Sequence, residues 1–390
     1  MMDRLESLLQ PDQVSTQEET RVAYSRDASR IQGECRAVVW PETVTDVVRL
    51  AQWAAETGID LVPRGAGTGL CGGATPQNSV VVDSARLRQM DVLNIQLKQV
   101  VVEAGVPLDQ LNMNLRSAGL FLPVIPGSHR SATIGGMIAT NAAGLHAVRY
   151  GRMANWVENI IVVNGNGQVQ CLAGSERSNS AGWEGITGMI VQATLRLTEC
   201  PGKRSLTLLS FENLRIMLDQ IDTLKTNPEL SAMEYVNPNA AIMVGWAAKH
   251  TLLIEYHNSD GEIKDPEEIS IIWRGRESLS ARLTQAGYPV SEDPQIPPEA
   301  QEEILGWLFA QEIPVFGHLG VGILHPRFLP DDPRIPELYG RVSVAGGRIN
   351  GEHGMGLKKR RWASEALKKD FHALKTQFDP HHVFNRGKLC

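Results

Sequence analysis

Three of the chain's ten histidines stand in two short motifs late in the sequence. Gly317-His318-Leu319-Gly320-Val321-Gly322-Ile323-Leu324-His325 sets two imidazoles seven residues apart across a glycine-rich turn. Gly351-Glu352-His353-Gly354 adds a carboxylate and a third imidazole. His318, His325 and Glu352 make a donor set suited to a borderline divalent metal such as zinc, manganese or iron. His353 is then left as a group able to take a proton, because imidazole titrates near neutral pH. Ordinary histidines at turns are the competing reading, and what weighs against it is the glycine loops upstream.

The first loop, Pro63-Arg64-Gly65-Ala66-Gly67-Thr68-Gly69, follows a strand-like run. Glycines there leave backbone N–H groups unobstructed, which makes a nest for an anion such as a pyrophosphate. Gly67, Gly69 and Gly72 spell GxGxxG, but a Rossmann loop opens directly into a helix. Here Gly73-Ala74-Thr75-Pro76 runs into the strand-like residues 79–83. No GxxxxGK[ST] occurs, and a plain structural turn stays open as a reading of this loop alone. The second region holds Pro126-Gly127-Ser128, then Thr133-Ile134-Gly135-Gly136 and Asn141-Ala142-Ala143-Gly144, and ends at Tyr150-Gly151. Two such loops in one block suit a long ligand with a diphosphate and a flat ring.

With these residues in view, the chain resembles the vanillyl-alcohol-oxidase-type (PCMH) FAD-binding fold. More narrowly it is similar to the branch of D-lactate dehydrogenases, glycolate oxidase flavoprotein subunits and D-2-hydroxyglutarate dehydrogenases. The segments that carry the likeness are PRGAGTGLCGG at 63–73, PGSHRSATIGGMIATNAAG at 126–144, RYGRMANWVENI at 149–160 and WEGITGMIVQATLRL at 183–197. The resemblance implies that Pro63, Arg64, Gly65, Gly67, Thr68 and Gly69 cradle the FAD pyrophosphate. It implies that Pro126, Ser128, Thr133, Gly135, Gly136 and Asn141 line the flavin and ribityl chain, with Glu184, Gly185, Ile190 and Asn385 near the rest of the cofactor. No histidine lies in the first loop, so FAD is expected to be non-covalent.

The same likeness makes His318, His325 and Glu352 the metal ligands and His353 the base. The family's His-to-His turn commonly reads Gly-Asp-Gly-Asn, whereas this chain has Gly320-Val321-Gly322-Ile323. Two polar groups that could orient the ligands are therefore missing. Trp273-Arg274-Gly275-Arg276-Glu277 resembles a family motif in which Arg276 faces the substrate carboxylate, a task that suits the guanidinium fork. A surface basic helix is the alternative for that arginine. Ser280 and Arg327 are further candidates for the substrate. Relatives that use a dicarboxylate carry a lysine where this chain has Ser291.

The elements that must position these groups read as α+β: a two-part FAD-binding domain over 1–204, a shortened cap domain over 205–345, and a C-terminal segment, 346–390, returning to the first. Strands are expected near 36–40, 59–62, 79–82, 100–103, 157–163, 186–197 and 251–256. Helices are expected after Thr43, over 107–118, from 294–298 through Phe309, and over 363–378.

The 390 residues carry 38 lysines and arginines against 44 acidic residues, which excludes a general nucleic-acid binder. Five scattered cysteines with no CxxC argue against an iron–sulfur, zinc-ribbon or disulfide framework. The N-terminus lacks an apolar signal core and no apolar run is long enough for a membrane helix, so a cytoplasmic location is expected, with peripheral membrane association through a partner. The expected activity is FAD-dependent oxidation of a small D-2-hydroxy acid. The electron acceptor would be a quinone, a cytochrome or a partner iron–sulfur or flavoprotein subunit, and the assembly a homodimer or hetero-oligomer. The alternatives are an FAD-binding subunit with little activity alone, and an NADPH-dependent reductase on the same fold.

Overall fold

The computed structural model describes residues 2–91 and 93–389. The chain divides into two compact units. The first takes residues 1–142, 152–200 and 353–390, and the second takes 143–151 and 201–352.

The first unit contains two four-stranded sheets. In one, β1 (Val14–Ser15) lies antiparallel to β2 (Glu34–Val39), and β2 and β3 (Leu61–Arg64) flank β4 (Gln77–Asp83) in parallel. The other is antiparallel: β5 (Gln99–Glu103), β7 (Val157–Val163), β8 (Val169–Ala173) and β9 (Met189–Arg196) run in the order β5-β9-β7-β8. A short pair, β6 (Leu120–Phe121) and β10 (Thr198–Glu199), stands apart. The helices are α1 (Met2–Leu8), α2 (Glu18–Tyr24), α3 (Val44–Thr57), α4 (Leu108–Leu115), α5 (Ile134–Thr140) and a C-terminal helix, Glu365–Phe378.

Local signals explain these boundaries. Thr43 and Asp46 cap α3 reciprocally, and Gly58 ends it in the left-handed region at φ +71. The buried face of α3, with Val47, Leu50, Ala51, Trp53 and Ala54, packs with Val39, Val80, Val82 and Phe384 in one core. A second core joins Val100, Val157, Ile160 and Leu195 to Leu108 and Leu111 of α4 and Ile134 and Ile138 of α5. The strand expected at 59–62 begins at Leu61 and reaches Arg64, so it delivers the first glycine loop directly.

The second unit is built on an antiparallel six-stranded sheet in the order β11-β13-β12-β15-β16-β14. Its strands are β11 (Arg204–Phe211), β12 (Leu230–Val236), β13 (His250–His257), β14 (Val290–Ser291), β15 (Val315–His318) and β16 (Ile323–Phe328). Its helices are α6 (Ala147–Tyr150), α7 (Leu214–Asp219), α8 (Ile221–Lys225), α9 (Pro238–Ala241), α10 (Pro266–Gln285), α11 (Gln301–Ala310) and α12 (Arg334–Val344). Every residue of β12 and β13 is buried, and α10 lays Ile269, Trp273, Leu279 and Leu283 into the same core.

The helix expected to start at 294–298 starts later. Gln295 is held extended by pairing with Ile323 and Arg348, so only a 3-10 turn at Pro298–Ala300 precedes α11. No helix among the described residues is long and apolar enough to cross a membrane.

Candidate active site: two glycine loops and a histidine–glutamate centre

In the first unit, β3 ends at Arg64 and the chain turns into the glycine loop. The Arg64 guanidinium lies over the Tyr24 ring at 5.0 Å and donates from Nη1 to the Arg26 carbonyl at 3.0 Å. It fills the space where a Cβ on Gly67 would stand, 2.3 Å from Nη2, and Gly67 itself sits at φ +65. Asp27 accepts from the Ser29 amide through Oδ1 and from the Ala74 amide through Oδ2, tying the end of the loop to the 27–29 turn. Around Gly69, by contrast, only Asp27 comes within 4 Å of an added Cβ, and around Gly127 nothing does.

The two loops meet. A Cβ on Gly65 would lie 2.2 Å from Thr133 Oγ1, so the glycine lets the first loop pack directly on the Thr133 side chain. Thr133 caps α5, accepting from the Gly136 amide. Gly135 packs so closely on Ala104 that a Cβ would be 2.6 Å from the Ala104 Cβ. The turn at Pro126 and Ser128 closes through His129 N to Pro126 O and Ser131 N to Ser128 O, each 2.9 Å. Asn141 ends α5 at φ +48, and its Oδ1 accepts from the Ala154 amide.

Glu184, expected near the cofactor, holds two backbone amides with its carboxylate. Oε1 accepts from the Met355 amide at 2.6 Å and Oε2 from the Gly356 amide at 3.0 Å. Burial pushes its pKa up to about 7. Asn385, at φ +47, donates to the Glu184 carbonyl and accepts from Lys388, whose ammonium also donates to the Gly73 carbonyl. Gly185, at φ +76, lies against Pro63 and Asn385, while Ile190 is a buried residue of β9. The far end of the chain is thereby knotted to the first glycine loop.

In the second unit, the β15–β16 hairpin carries His318 and His325, closed by a 3-10 turn and Gly322 at φ +72. Glu352 Oε1 lies 3.3 Å from His325 Nε2 and 3.7 Å from His318 Nε2, and the two rings cross edge to face at 5.3 Å. The three donors converge as the spacing implied. Asp293 accepts from the Glu352 amide at 2.6 Å, which fixes the backbone of that ligand.

One residue of this centre escaped the sequence reading. Glu234 on β12 is 0% exposed. Its Oε1 faces His318 Nδ1 at 2.5 Å, while Oε2 accepts from Arg276 Nε at 2.8 Å and also from Nη2. The group that orients His318 therefore comes from β12 rather than from the His-to-His turn, and it leaves Nε2 as the nitrogen toward Glu352. A carboxylate inside the apolar run Leu230-Ser231-Ala232-Met233-Glu234-Tyr235-Val236 was the available signal, because such a group is seldom buried without a partner. Burial pulls Glu234 toward its neutral form, but His318 and Arg276 outweigh it and hold its carboxyl below the ordinary range. Burial likewise opposes ionisation of Glu352, and its two histidines hold it well below that range.

Arg276, on α10, is anchored by Glu234 and by stacking over Phe316 at 4.4 Å, so one side of its fork is already used. Arg327 is 3% exposed and donates to Ser280 Oγ at 2.9 Å, Thr284 Oγ1 at 2.7 Å and the Tyr288 carbonyl. The structure thus brings Ser280 and Arg327 together as a pair that staples α10 to the 288–289 turn. His353 follows Glu352 directly, so their Cα atoms are about 3.8 Å apart.

Comparison with known proteins gives these centres a family. Residues 35–172 match the FAD binding domain family, and residues 252–389 match the C-terminal domain of FAD linked oxidases. The D-2-hydroxyglutarate dehydrogenase of Xanthomonas citri pv. viticola is 27% identical over 90% of this chain and 89% of its own length. The glycolate oxidase subunit GlcD of Bacillus subtilis is 27% identical over 99% of this chain and 96% of its own. The probable mitochondrial D-lactate dehydrogenase of Danio rerio is 28% identical over 96% and 88%. A solved structure of alkyldihydroxyacetonephosphate synthase superposes with a TM-score of 0.74 at 16% identity, over 99% of this chain and 84% of that one, and it shares the fold. With both domain families matched in one polypeptide, the chain belongs to the FAD-linked oxidases and takes FAD as its cofactor.

Proposed function

We propose that the protein oxidises a small D-2-hydroxy acid, of the D-lactate or glycolate type, to the 2-keto acid. The observation that carries this reading is the convergence of His318, His325 and Glu352 with Glu234 and Arg276 behind them. Two imidazole nitrogens and a carboxylate oxygen, with the far nitrogen of His318 engaged by a carboxylate, make a donor set that fits a divalent metal. Relatives named for 2-hydroxy-acid oxidation support the substrate class.

Each residue then has a task. Pro63 to Gly69 and the 126–141 loop hold FAD non-covalently, the crowding at Gly65 and Gly67 setting the loop shape and the open faces of Gly69 and Gly127 leaving room. Bound FAD supplies the acceptor for the hydride that leaves the substrate's C2. Arg276 binds the substrate carboxylate through Nη1, because Glu234 occupies Nε and Nη2. A metal on His318, His325 and Glu352 would polarise the 2-hydroxyl as a Lewis acid. His353 takes the hydroxyl proton, and its place next to Glu352 in the chain keeps base and ligand within one residue of each other. Both groups act where charge changes between alcohol and carbonyl.

Arg327 and Ser280 are assigned to the frame and not to the substrate. That assignment, with Ser291 standing where dicarboxylate-using relatives carry lysine, favours a substrate with one carboxylate. Electrons leave to a quinone, a cytochrome or a partner subunit, and the protein would meet a membrane only through that partner. A relative named as an oxidase subunit supports a second reading, in which the chain works only within a complex.

The test is anaerobic mixing of the yellow holoprotein with D-lactate, glycolate, D-2-hydroxyglutarate and NADPH. Bleaching by a 2-hydroxy acid is expected. Bleaching by NADPH alone would contradict the reading, and bleaching by no donor until a partner is added would select the second one.

A further inference from the structure

A second group of two histidines and a glutamate lies elsewhere in the same unit, and the proposed reaction makes no use of it. Glu255 and His257 sit two apart on β13 and so share one face of the sheet, and His146 stands just before α6. All three are buried. His257 Nε2 is 3.0 Å from Glu255 Oε1, and His146 Nδ1 is 3.9 Å from the same oxygen. The three donor atoms fall within 4.8 Å of one another.

The surroundings aim these atoms inward. Glu255 Oε2 accepts from Arg204 Nη2 at 2.6 Å and from Trp273 Nε1 at 2.8 Å, while Oε1 lies on the side of the imidazoles and also accepts from Arg204 Nε and Ser231 Oγ, each at 3.3 Å. His257 Nδ1 is engaged by the Tyr150 hydroxyl at 3.0 Å, leaving Nε2 for the centre. His146 is 9% exposed. Its Nδ1 is buried with no hydrogen-bond partner. A buried imidazole nitrogen without a partner thus points at the shared carboxylate oxygen, and leaving it so costs free energy unless a further group stands there.

We propose that His146, Glu255 and His257 bind a divalent cation of the zinc type, which fastens residues 143–151 to β13. The two-nitrogen, one-oxygen set suits a borderline metal, and the other nitrogen of His257 already has, in the Tyr150 hydroxyl, the outer partner that ligating histidines need. The role is structural: no donor of this set belongs to the groups assigned to the reaction, and the segment it would clip is the one that continues from the second glycine loop. Arg204 already balances the charge of Glu255, so this site holds zinc more weakly than His318, His325 and Glu352, which lie beside the second carboxylate of Glu234. The competing occupant is an ordered water that donates to His146 Nδ1 and Glu255 Oε1.

The experiment is a zinc count on the full-length, FAD-loaded protein after chelator dialysis and titration with zinc alone, with the flavin content reporting the fold. Wild type is expected to hold two equivalents. His146→Asn and His257→Asn are each expected to lose the weaker one and keep the tighter one. His318→Asn and Glu352→Gln are expected to do the reverse, and these two variants test the proposal without touching the second cluster. Adding zinc to wild type whose tight site is already filled is expected to raise the Tm further, and to leave that of His146→Asn unchanged. A single equivalent in wild type that vanishes in His318→Asn would overturn the proposal and leave the proposed function standing, with water at the second cluster. A single equivalent that survives His318→Asn and vanishes in His146→Asn would uphold it and remove the metal from the proposed reaction. Two equivalents untouched by His146→Asn and His257→Asn would also overturn it.

Discussion

The second unit contains two triads of the same composition in very different electrostatic settings. His318 stands between Glu234 and Glu352. Burial opposes its protonation, yet the two carboxylates push its pKa up to about 10. His146 has one carboxylate nearby, and that carboxylate is shared with Arg204 and His257. Burial dominates there and drives the His146 pKa down to about 4. One imidazole is thus a cation in the metal-free protein and the other is neutral. The lesson is that the same three donor types take opposite charge states according to the carboxylates and arginines packed around them. A reactive centre also needs substrate-binding and proton-accepting groups at hand, and only the first triad has Arg276 anchored on its own outer carboxylate and His353 next in the chain.

The strongest way to break this contrast is through His353. His353→Asn is expected to keep FAD and to slow flavin reduction by about 10²–10⁴-fold, the usual contribution of a positioned base. His372, His381 and His382, on or after the C-terminal helix, serve as controls whose substitution leaves the rate unchanged. An unslowed His353→Asn would remove the proton-accepting role from the first triad's side. Next comes Glu234→Gln, which keeps shape and removes charge. Zinc affinity at the first triad is expected to fall by roughly 10–100-fold, as for other outer-partner losses. KM is expected to rise because Arg276 loses its anchor, while zinc at the second triad is unaffected. Equal weakening at both triads would mean that Glu234 acts on the whole unit's stability.

The smallest effect concerns substrate charge. A second carboxylate brought into a partly desolvated pocket needs a charged partner, and a serine hydroxyl contributes only about 0.5–1.5 kcal/mol net. Replacing lysine by Ser291 is therefore expected to favour D-lactate or glycolate over D-2-hydroxyglutarate by roughly tenfold in kcat/KM. The donors that Arg327 commits to Ser280, Thr284 and Tyr288 strengthen that expectation. A higher kcat/KM for the dicarboxylate, abolished by Arg327→Ala, would show that the buried arginine serves the substrate after all.

The first triad was legible because a seven-residue spacing across a glycine turn places two histidines on one hairpin, and Gly-Glu-His-Gly marks the third ligand. The glycine loops were legible for a similar reason, since Gly67 takes φ +65 and Gly65 packs its backbone directly on the Thr133 side chain. The second triad was not, because its members are 109 positions or more apart on one side and two apart on the other, and only the packing of residues 143–151 into the second unit unites them. The partners of Arg327 were not legible: an arginine two residues beyond His325 reads as a candidate for the substrate's anion, whereas the Ser280 and Thr284 hydroxyls and the Tyr288 carbonyl become its neighbours only on folding. The partners of Glu184 were not legible either, because the amides of Met355 and Gly356 that its carboxylate holds lie 171 and 172 residues away in sequence.

The central claim is that the first triad's metal takes part in oxidising a 2-hydroxy acid on a bound flavin. It is tested most directly by stripping the yellow protein of metal, confirming that FAD stays bound, and following anaerobic bleaching by D-lactate before and after zinc is restored. Slow bleaching that zinc restores in wild type, and fails to restore in Glu352→Gln, is the predicted result. Full-speed bleaching by the metal-free protein would contradict the account.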